Sequence, residues 1–168
     1  MITIFVKKIK FFSQKDYNKF INDLPYHKLS CTCEQKGSLI KHGYYLRSVK
    51  TRKGLASLSI LRLKCKSCNK THAILPSFII PYSRILYHDH ISIIHTYISQ
   101  LSFEPLMLSN LLIDESNIRY IIHQYLKHWK ERIASFDGSL YFLLIESCFK
   151  HFSRQFMQIK CTPNILFS

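Results

Sequence analysis

The sequence predicts an α+β fold in which a small β-rich module precedes an α-helical region. Residues 31–80 contain short alternating runs such as LSILRLKC, separated by serine, glycine and cysteine, a pattern typical of strands joined by turns. From residue 86 onward the apolar residues recur at helical spacing. The hydrophobic content of 47% is sufficient for a modest core in a chain of 168 residues.

The N-terminal region, residues 1–29, is predicted to hold a strand and a helix. Its opening apolar run favours a short strand within residues 1–12. A helix is predicted over residues 14–24, because Ser13 and Asp16 have the spacing of a helix-capping pair and apolar residues then follow at helical intervals. Pro25 ends this helix.

Residues 30–80 carry four cysteines in two close pairs, Cys31 with Cys33 and Cys65 with Cys68. Two such pairs, separated by a strand-forming segment, have the arrangement of a zinc ribbon, in which each pair supplies two of the four ligands of a tetrahedral Zn²⁺ ion. Such an ion is structural, since no coordination position is left for water. The alternatives are two disulfides or four buried, unligated thiols.

The second pair matches a zinc-binding turn well, because Asn69 can adopt the left-handed backbone that glycine usually fills there. The first pair has one residue fewer between its thiols. A histidine is therefore an alternative ligand; His27, His42 and His72 are candidates and His42 is the preferred one. Cys148 and Cys161 stand apart and are predicted to be buried thiols without a metal.

The charge distribution predicts a polyanionic partner. The net charge is +14, and the 54 residues between Glu34 and Asp89 contain eleven lysines and arginines and no acid. A patch of one sign this large favours phosphate binding, although a solvated basic surface is the simpler alternative. The predicted DNA contacts in this module are Lys41, Arg47, Lys50, Arg52 and Lys53.

Residues 86–132 are predicted to form a helix-turn-helix region. A first helix carries Ile91, Ile94, Ile98 and Leu101 on one face; a brief helix over residues 106–112 and a tight turn at residues 112–114 then lead to a longer helix. Asp114 is the predicted N-cap of that helix, whose apolar stripe runs from Ile118 to Trp129. A plain helical bundle is the alternative. The polar face of the longer helix supplies the remaining predicted DNA contacts: Ser116, Asn117, Arg119, Tyr120, His123 and Lys127.

Residues 133–168 are predicted to contain a further apolar helix or strand, SLYFLLIESCFKHF, followed by a tail without an assigned structure. No apolar stretch approaches the length of a membrane-spanning helix, so no membrane contact is expected. The N-terminal run lacks the cleavage site of a secretory signal. We therefore expect a cytoplasmic, nucleoid-associated protein with reduced thiols.

The segments LIKHG (39–43) and CKSCNKTH (65–72), in this order before the helical region, resemble a bacterial family of unknown function found mainly in Firmicutes. Its members are similar to the N-terminal zinc-ribbon and helix-turn-helix regions of insertion-sequence transposases. They usually carry Cys-Pro-x-Cys where this chain has Cys31-Thr32-Cys33. The resemblance covers roughly residues 30–130 and implies DNA binding connected with mobile elements, with a transposase as a further partner.

The sequence predicts binding of double-stranded DNA without catalysis. A transposase catalytic domain needs three metal-binding carboxylates, and the ten acidic residues of this chain all lie in segments already assigned. The His-x-Glu and Pro-Cys-x-x-Cys motifs of zinc deaminases are absent. No small-molecule substrate is expected. The alternatives are a protein-interaction adaptor for a transposase or transcription complex, and an RNA-binding ribbon.

Overall fold

The structure, a computed structural model, confirms the α+β class. It describes residues 1–6, 13–34, 37–51, 54–100, 113–134, 141–152, 155–158 and 164–165. In this part of the chain, one sheet is accompanied by α-helices and by a short 3₁₀ turn at Tyr26–Lys28. The strands are β1 (Ile2–Ile4), β2 (Leu39–Thr51), β3 (Gly54–Cys65), β4 (Thr71–Pro76) and β5 (Asn164–Ile165); the helices are α1 (Gln14–Asn22), α2 (Tyr87–Gln100), α3 (Glu115–His128), α4 (Lys130–Ile133) and α5 (Tyr141–Phe152).

The sheet has the strand order β2-β3-β4-β1-β5. Strands β2 and β3 form a long antiparallel hairpin with a bulge between Lys41 and Gly43, and β4 pairs antiparallel with the end of β3. Strand β1 is parallel to both β4 and β5. The N-terminal strand, predicted as part of a separate region, is therefore an inner strand of the same sheet that carries Cys65.

Helix α1 begins as the sequence predicts. The Ser13 hydroxyl accepts from the Asp16 backbone N–H at 3.2 Å, and the Asp16 carboxylate accepts from the Ser13 backbone N–H at 3.0 Å, which completes a capping box. The helix ends at Asn22, two residues earlier than predicted, and buries Tyr17 and Ile21 against the sheet.

Tyr17 continues the hydrogen-bonded ladder where β3 and β4 separate. The last β3–β4 pair is Arg62 with Ala73; one position further, the Tyr17 hydroxyl accepts from Leu61 N–H at 2.9 Å and donates to the Ile74 carbonyl at 3.0 Å. Burial raises the pKa of Tyr17, so the phenol keeps the proton it donates. The hydroxyl thus satisfies two backbone groups that β3 and β4 leave unpaired just beyond their last residue pair.

The described residues form two apolar cores. The first lies between the sheet and α1, and the second lies among the helices of the C-terminal half, with Phe78 packed against both. Of the predicted stripe on α3, Ile118, Ile121, Ile122 and Tyr125 are buried with Trp129, whereas Leu126 is 42% exposed. None of the described helices is long and apolar enough to cross a membrane.

Two basic side chains of β2 connect the sheet to the helical half. Arg47 donates through Nη2 to the carbonyls of Ile80 and Ser83, at 2.9 and 2.6 Å. Lys50 forms an ion pair with Asp114, the residue that precedes α3. The hydrogen bond and charge of Lys50 lower the pKa of Asp114, which keeps this carboxylate ionised.

We expect Tyr17→Phe to lower the free energy of unfolding by about 1–3 kcal/mol, because it leaves the Leu61 N–H and the Ile74 carbonyl buried without their partner. Urea-induced unfolding followed by circular dichroism measures this change. Tyr44→Phe is the matched control, since Tyr44 is 53% exposed. Equal stability of the two variants would show that the hydroxyl does not join the strands.

Candidate metal centre and nucleic-acid interface

Each cysteine pair lies on a tight backbone turn. In the first, the Glu34 N–H donates to the Cys31 carbonyl at 2.9 Å; in the second, the Asn69 N–H donates to the Cys65 carbonyl at 3.0 Å. Both turns close on a residue with left-handed backbone, with φ of 65° at Glu34 and 59° at Asn69. The left-handed conformation predicted for Asn69 is therefore confirmed, and Glu34 takes the equivalent position in the shorter first turn.

The four sulfur atoms converge on one point. The Sγ atoms of Cys31 and Cys68 are 3.4 Å apart, those of Cys33 and Cys65 are 3.6 Å apart, and all four lie within 4.8 Å of one another. All four thiols are free, at distances well beyond a disulfide bond. A tetrahedron of sulfurs about 2.3 Å from a central ion has edges of about 3.8 Å, so this cluster is close enough to hold a metal ion.

The cluster is anchored in the first core. Cys31 and Cys65 are buried, at 3% and 0% exposure, while Cys33 and Cys68 are half-buried. Cys65 is the last residue of β3 and pairs with Leu39, so the sheet fixes its position. The Ser38 hydroxyl, 3.1 Å from Cys65 Sγ, lowers the pKa of this thiol to about 5 together with backbone N–H groups of the same turn. This lowering of the pKa favours the thiolate of Cys65, which is the form that binds metal.

His72 is the histidine beside the cluster. Its Nε2 lies 3.2 Å from Cys31 Sγ, and its side chain is buried at 4% exposure. Burial, followed by the positive charges of the N-terminus and Lys70, lowers the pKa of His72, so the ring is neutral. His42, the substitute ligand preferred from the sequence, is exposed at the bulge of β2. With four sulfurs already convergent, His72 is placed to donate a hydrogen bond to a ligand and orient it.

The predicted contacts on α3 lie mostly on its outer face. Ser116, Arg119, Tyr120, His123 and Lys127 are exposed, and Asn117 is half-buried. Arg119 pairs with Glu115 one turn earlier, at 2.6 Å, and the Asn117 amide donates to the Asp114 carboxylate at 2.9 Å. Polar side chains at the N-terminal end of this face therefore bond to acidic neighbours in the chain, whereas the C-terminal end of the face is basic.

The predicted contacts in the sheet fall into three groups. Lys41 is exposed, with Nζ 5.3 Å from the centre of the Tyr26 ring. Arg47 and Lys50 are half-buried and hold the sheet against the helical half. Arg52 and Lys53 lie outside the described residues. Only Lys41 of the described three is thus fully available to a partner.

Within the described part of the acid-free stretch, three exposed cations were not among the contacts predicted from the sequence. Lys66 and Lys70 belong to the second cysteine turn, and Arg84 follows the turn after β4. All three lie in the acid-free stretch, which was the signal that could have identified them. Lys66 and Lys70 place positive charge beside the thiol cluster.

The helix-turn-helix remains a prediction. Helices α2 and α3 pack together in the second core, where Ile91 and Ile94 of α2 are buried and Ile98 is 50% exposed. The predicted brief helix, residues 106–112, lies outside the described residues, and so does the first residue of the turn predicted at residues 112–114. Asp114 does precede α3 as its N-cap residue, but its carboxylate binds Lys50 and Asn117 instead of the backbone of the first turn.

Comparison with known proteins gives one match. The profile of a family described as a domain of unknown function (DUF6431) matches residues 30–115, about half of the chain. The matched segment begins just before Cys31 and ends at the first residue of α3, so it contains the whole thiol cluster. No curated protein and no solved structure matches the chain.

We expect Cys68→Ser to lower the metal content of the purified protein and to destabilise the sheet, because it removes one of the four convergent sulfurs. Elemental analysis and thermal unfolding measure the two effects. Cys148→Ser is the control: Cys148 is fully buried in the second core, where burial raises its pKa to about 12. Equal metal loss in both variants would mean that the ligands are assigned wrongly.

Proposed function

The chain belongs to the DUF6431 family, and we propose that it is a zinc-stabilised protein that binds double-stranded DNA in a sequence-specific manner without catalysing a reaction. The observation that carries the DNA-binding part is the acid-free stretch of 54 residues with eleven cations, which also contains the second half of the thiol cluster. A surface of this sign and size attracts phosphate and releases counterions on binding.

Zinc is the ion that the donor set favours. Four thiolates in tetrahedral arrangement are typical of structural Zn²⁺, whereas calcium and magnesium require oxygen ligands. The four sulfurs fill all coordination positions, which leaves none for a substrate or an activated water. Cys31, Cys33, Cys65 and Cys68 would therefore hold a structural ion, and the metal supplies folding free energy there.

The cationic turn beside the metal is the proposed phosphate contact in the sheet. Lys66 and Lys70 are exposed on the turn that Cys65 and Cys68 define, so an ion held there also fixes the position of both lysines. Lys41 is exposed on the neighbouring strand β2. These three lysines replace Arg47 and Lys50 as the principal phosphate contacts of the sheet, since the latter two are already bonded within the chain.

Helix α3 is the proposed base-reading element. Arg119 and Ser116 carry side chains that can reach base edges, and Tyr120, His123 and Lys127 are suited to phosphates. The acidic residues Asp114 and Glu115 disfavour a phosphate at the N-terminus of α3. The phosphate contacts are therefore proposed for the later turns of this helix. Arg119 has to exchange Glu115 for a base when it binds, because the two side chains pair in the free protein.

The proposed setting is the bacterial cytoplasm and nucleoid, in association with a mobile element. The support is the resemblance of the cysteine and helix segments to the DNA-binding region of insertion-sequence transposases. No catalytic carboxylate cluster is expected, as the acidic residues are few. A transposase encoded elsewhere would then carry out the reaction, with this chain as the part that selects DNA.

A protein-interaction adaptor is the second candidate function. The β2–β3 hairpin exposes large apolar side chains, Leu46 at 77%, Leu55 at 71% and Tyr44 at 53%. Exposed apolar surface of this kind favours contact with another protein. The two functions differ in their response to salt, because phosphate neutralisation makes the affinity fall steeply with ionic strength, whereas contact through these apolar side chains does not.

We expect duplex affinity to fall linearly with salt on a double-logarithmic plot, and the double variant Lys66→Ala/Lys70→Ala to reduce the slope by about 2. Fluorescence anisotropy of a labelled duplex at several salt concentrations measures both. The charge-matched control is Lys15→Ala/Lys19→Ala, which removes two exposed lysines of α1 outside the acid-free stretch. A flat salt response in the unmodified protein would contradict DNA binding and favour the adaptor.

A further inference from the structure

Strand β2 lies at one end of the sheet, so one of its two edges has no neighbouring strand in the part of the chain that the structure describes. Near the tip of the hairpin, a short extended segment lies beside this outer edge. There the Lys50 N–H donates to the Arg84 carbonyl at 2.6 Å, and Lys50 forms a parallel bridge with Ile85. The outer edge therefore already accepts extended backbone at one position.

The pairing of β2 with β3 shows which backbone groups face the outer edge. In an antiparallel pair, the N–H and C=O groups of successive residues point alternately toward the partner strand and away from it. The Lys50 N–H points away from β3, toward Arg84, and the register is regular from Lys50 back to Tyr44. The N–H and C=O groups of Ser48, Leu46 and Tyr44 therefore also point outward, and none of the described residues bonds to them.

This part of the edge lacks the features that usually prevent the addition of a strand. Natural edge strands are protected by proline, by bulges or by charged side chains. Strand β2 has a bulge between Lys41 and Gly43, and Lys41 is exposed. From Tyr44 to Ser48 there is no bulge and no proline, and the charged side chain of Arg47 donates to two carbonyls of the turn at residues 80–85. The edge is thus open to pairing over residues 44–48.

An open groove of about 400 Å³ lies beside the same residues. Residues 45–48 of β2 line one side of it and residues 82–84 line the other, together with Met1. On its far side, the turn that holds residues 82–84 lines a cavity against helix α3. None of the described residues that line the groove is acidic, whereas Arg47 and Arg84 supply two positive charges. Charge complementarity therefore favours an acidic occupant.

The side chains along the edge specify the occupant further. Successive side chains of a strand point to opposite faces of the sheet. Tyr44 and Leu46 point to one face, where both are largely exposed, and Arg47 points to the other. In a strand added to this edge, every second side chain would lie beside the two exposed apolar residues, and the intervening side chains would lie on the face of the arginine. Apolar residues that alternate with acidic ones fit both faces.

We propose that the outer edge of β2 binds an extended segment of another protein, in which acidic and apolar residues alternate, as an additional strand of the sheet. Backbone hydrogen bonds to Tyr44, Leu46 and Ser48 supply the pairing, and Arg84 contacts an acidic side chain. A second copy of this chain is disfavoured, because β2 contains Lys41, Arg47 and Lys50 and no acid, and like charges would face each other.

This site goes beyond the DNA-binding function and shares none of the lysines proposed to contact phosphate in the sheet. It gives the second candidate function, the protein-interaction adaptor, a mode of contact and a partner of stated chemistry.

The probe that tests the site is a labelled eight-residue peptide that alternates glutamate with valine, with binding to the full chain measured by fluorescence anisotropy. A peptide that alternates lysine with valine tests the charge preference and should bind about tenfold more weakly or less. Two further glutamate–valine peptides are N-methylated, one on the valine amides and one on the glutamate amides. Since only one of these sets of N–H groups faces β2 in an added strand, one methylated peptide should lose binding and the other should retain it.

Two variants of the protein test the same contacts. Leu46→Pro removes an outward N–H, and Arg84→Glu reverses a charge of the groove; each should weaken binding of the glutamate–valine peptide about tenfold. The proline variant should fold, because proline is tolerated where the N–H of an edge strand faces away from the sheet. Circular dichroism and thermal unfolding check this. Arg84 is exposed, so its variant tests the groove even where the proline disturbs the strand.

Lys19→Glu is the control for charge reversal, since Lys19 is exposed on α1 and does not line the groove. Its affinity for the glutamate–valine peptide should stay close to that of the unmodified protein.

The outcomes are distinct. Peptide binding that one methylated peptide loses and that Arg84→Glu weakens supports the added strand. Absence of peptide binding overturns the proposal, as do equal binding of both methylated peptides, equal binding of the lysine peptide, or unchanged affinity in Arg84→Glu. A dimer that Leu46→Pro converts to a monomer also overturns it, because the edge then belongs to a second copy. Duplex binding is measured in parallel: peptide binding without it overturns the DNA-binding function alone, and the reverse result overturns the strand site alone.

Discussion

The structure depends first on the convergence of four sulfurs from two distant turns. Cys31 and Cys68 are 37 residues apart in sequence, and Cys33 and Cys65 are 32 apart. An ion at this point ties the segment after α1 to the turn between β3 and β4. The loop it closes is long, so the entropy that the ion removes from the unfolded chain is correspondingly large. The ion would also hold both cysteine turns against the first core, to which Cys31 and Cys65 belong.

The long β2–β3 hairpin connects the cysteine cluster to the helical half. Leu39 and Cys65 pair at the metal end, whereas Lys50 contacts Asp114 near the tip. Eleven residues of strand separate these points along β2, roughly 36 Å at the usual rise per residue. That length is similar to one turn of B-form DNA. The proposed phosphate contacts at the metal end and the proposed reading helix would then address neighbouring turns of one duplex.

Local features of the fold were predictable from the sequence, and non-local ones were not. The capping box at Ser13, the stripe of α3 and the left-handed Asn69 depend on residues a few positions apart, so spacing was sufficient to find them. The place of β1 beside β4, the proximity of His72 to Cys31 and the internal use of Arg47 depend on contacts across tens of residues. The sequence alone does not show whether a basic residue in such a stretch faces solvent or donates to a carbonyl of another segment.

The same reason explains why the sequence did not predict the cavity between the turn at residues 80–85 and helix α3. Its wall joins Tyr82, His90 and Gln124, which belong to three separate elements and share no sequence motif. The spacing of the cysteine pairs, by contrast, was sufficient to predict a metal site. It did not show whether the short Cys31–Cys33 turn could supply two ligands. The structure brings both of its sulfurs into the cluster.

X-ray absorption spectroscopy of the zinc-loaded protein tests the central claim most directly. The account predicts a single shell of four sulfur scatterers at about 2.3 Å from the ion. Two or more nitrogen or oxygen scatterers at about 2.0–2.2 Å in place of sulfur would contradict it, because the four cysteines would then not share one ion.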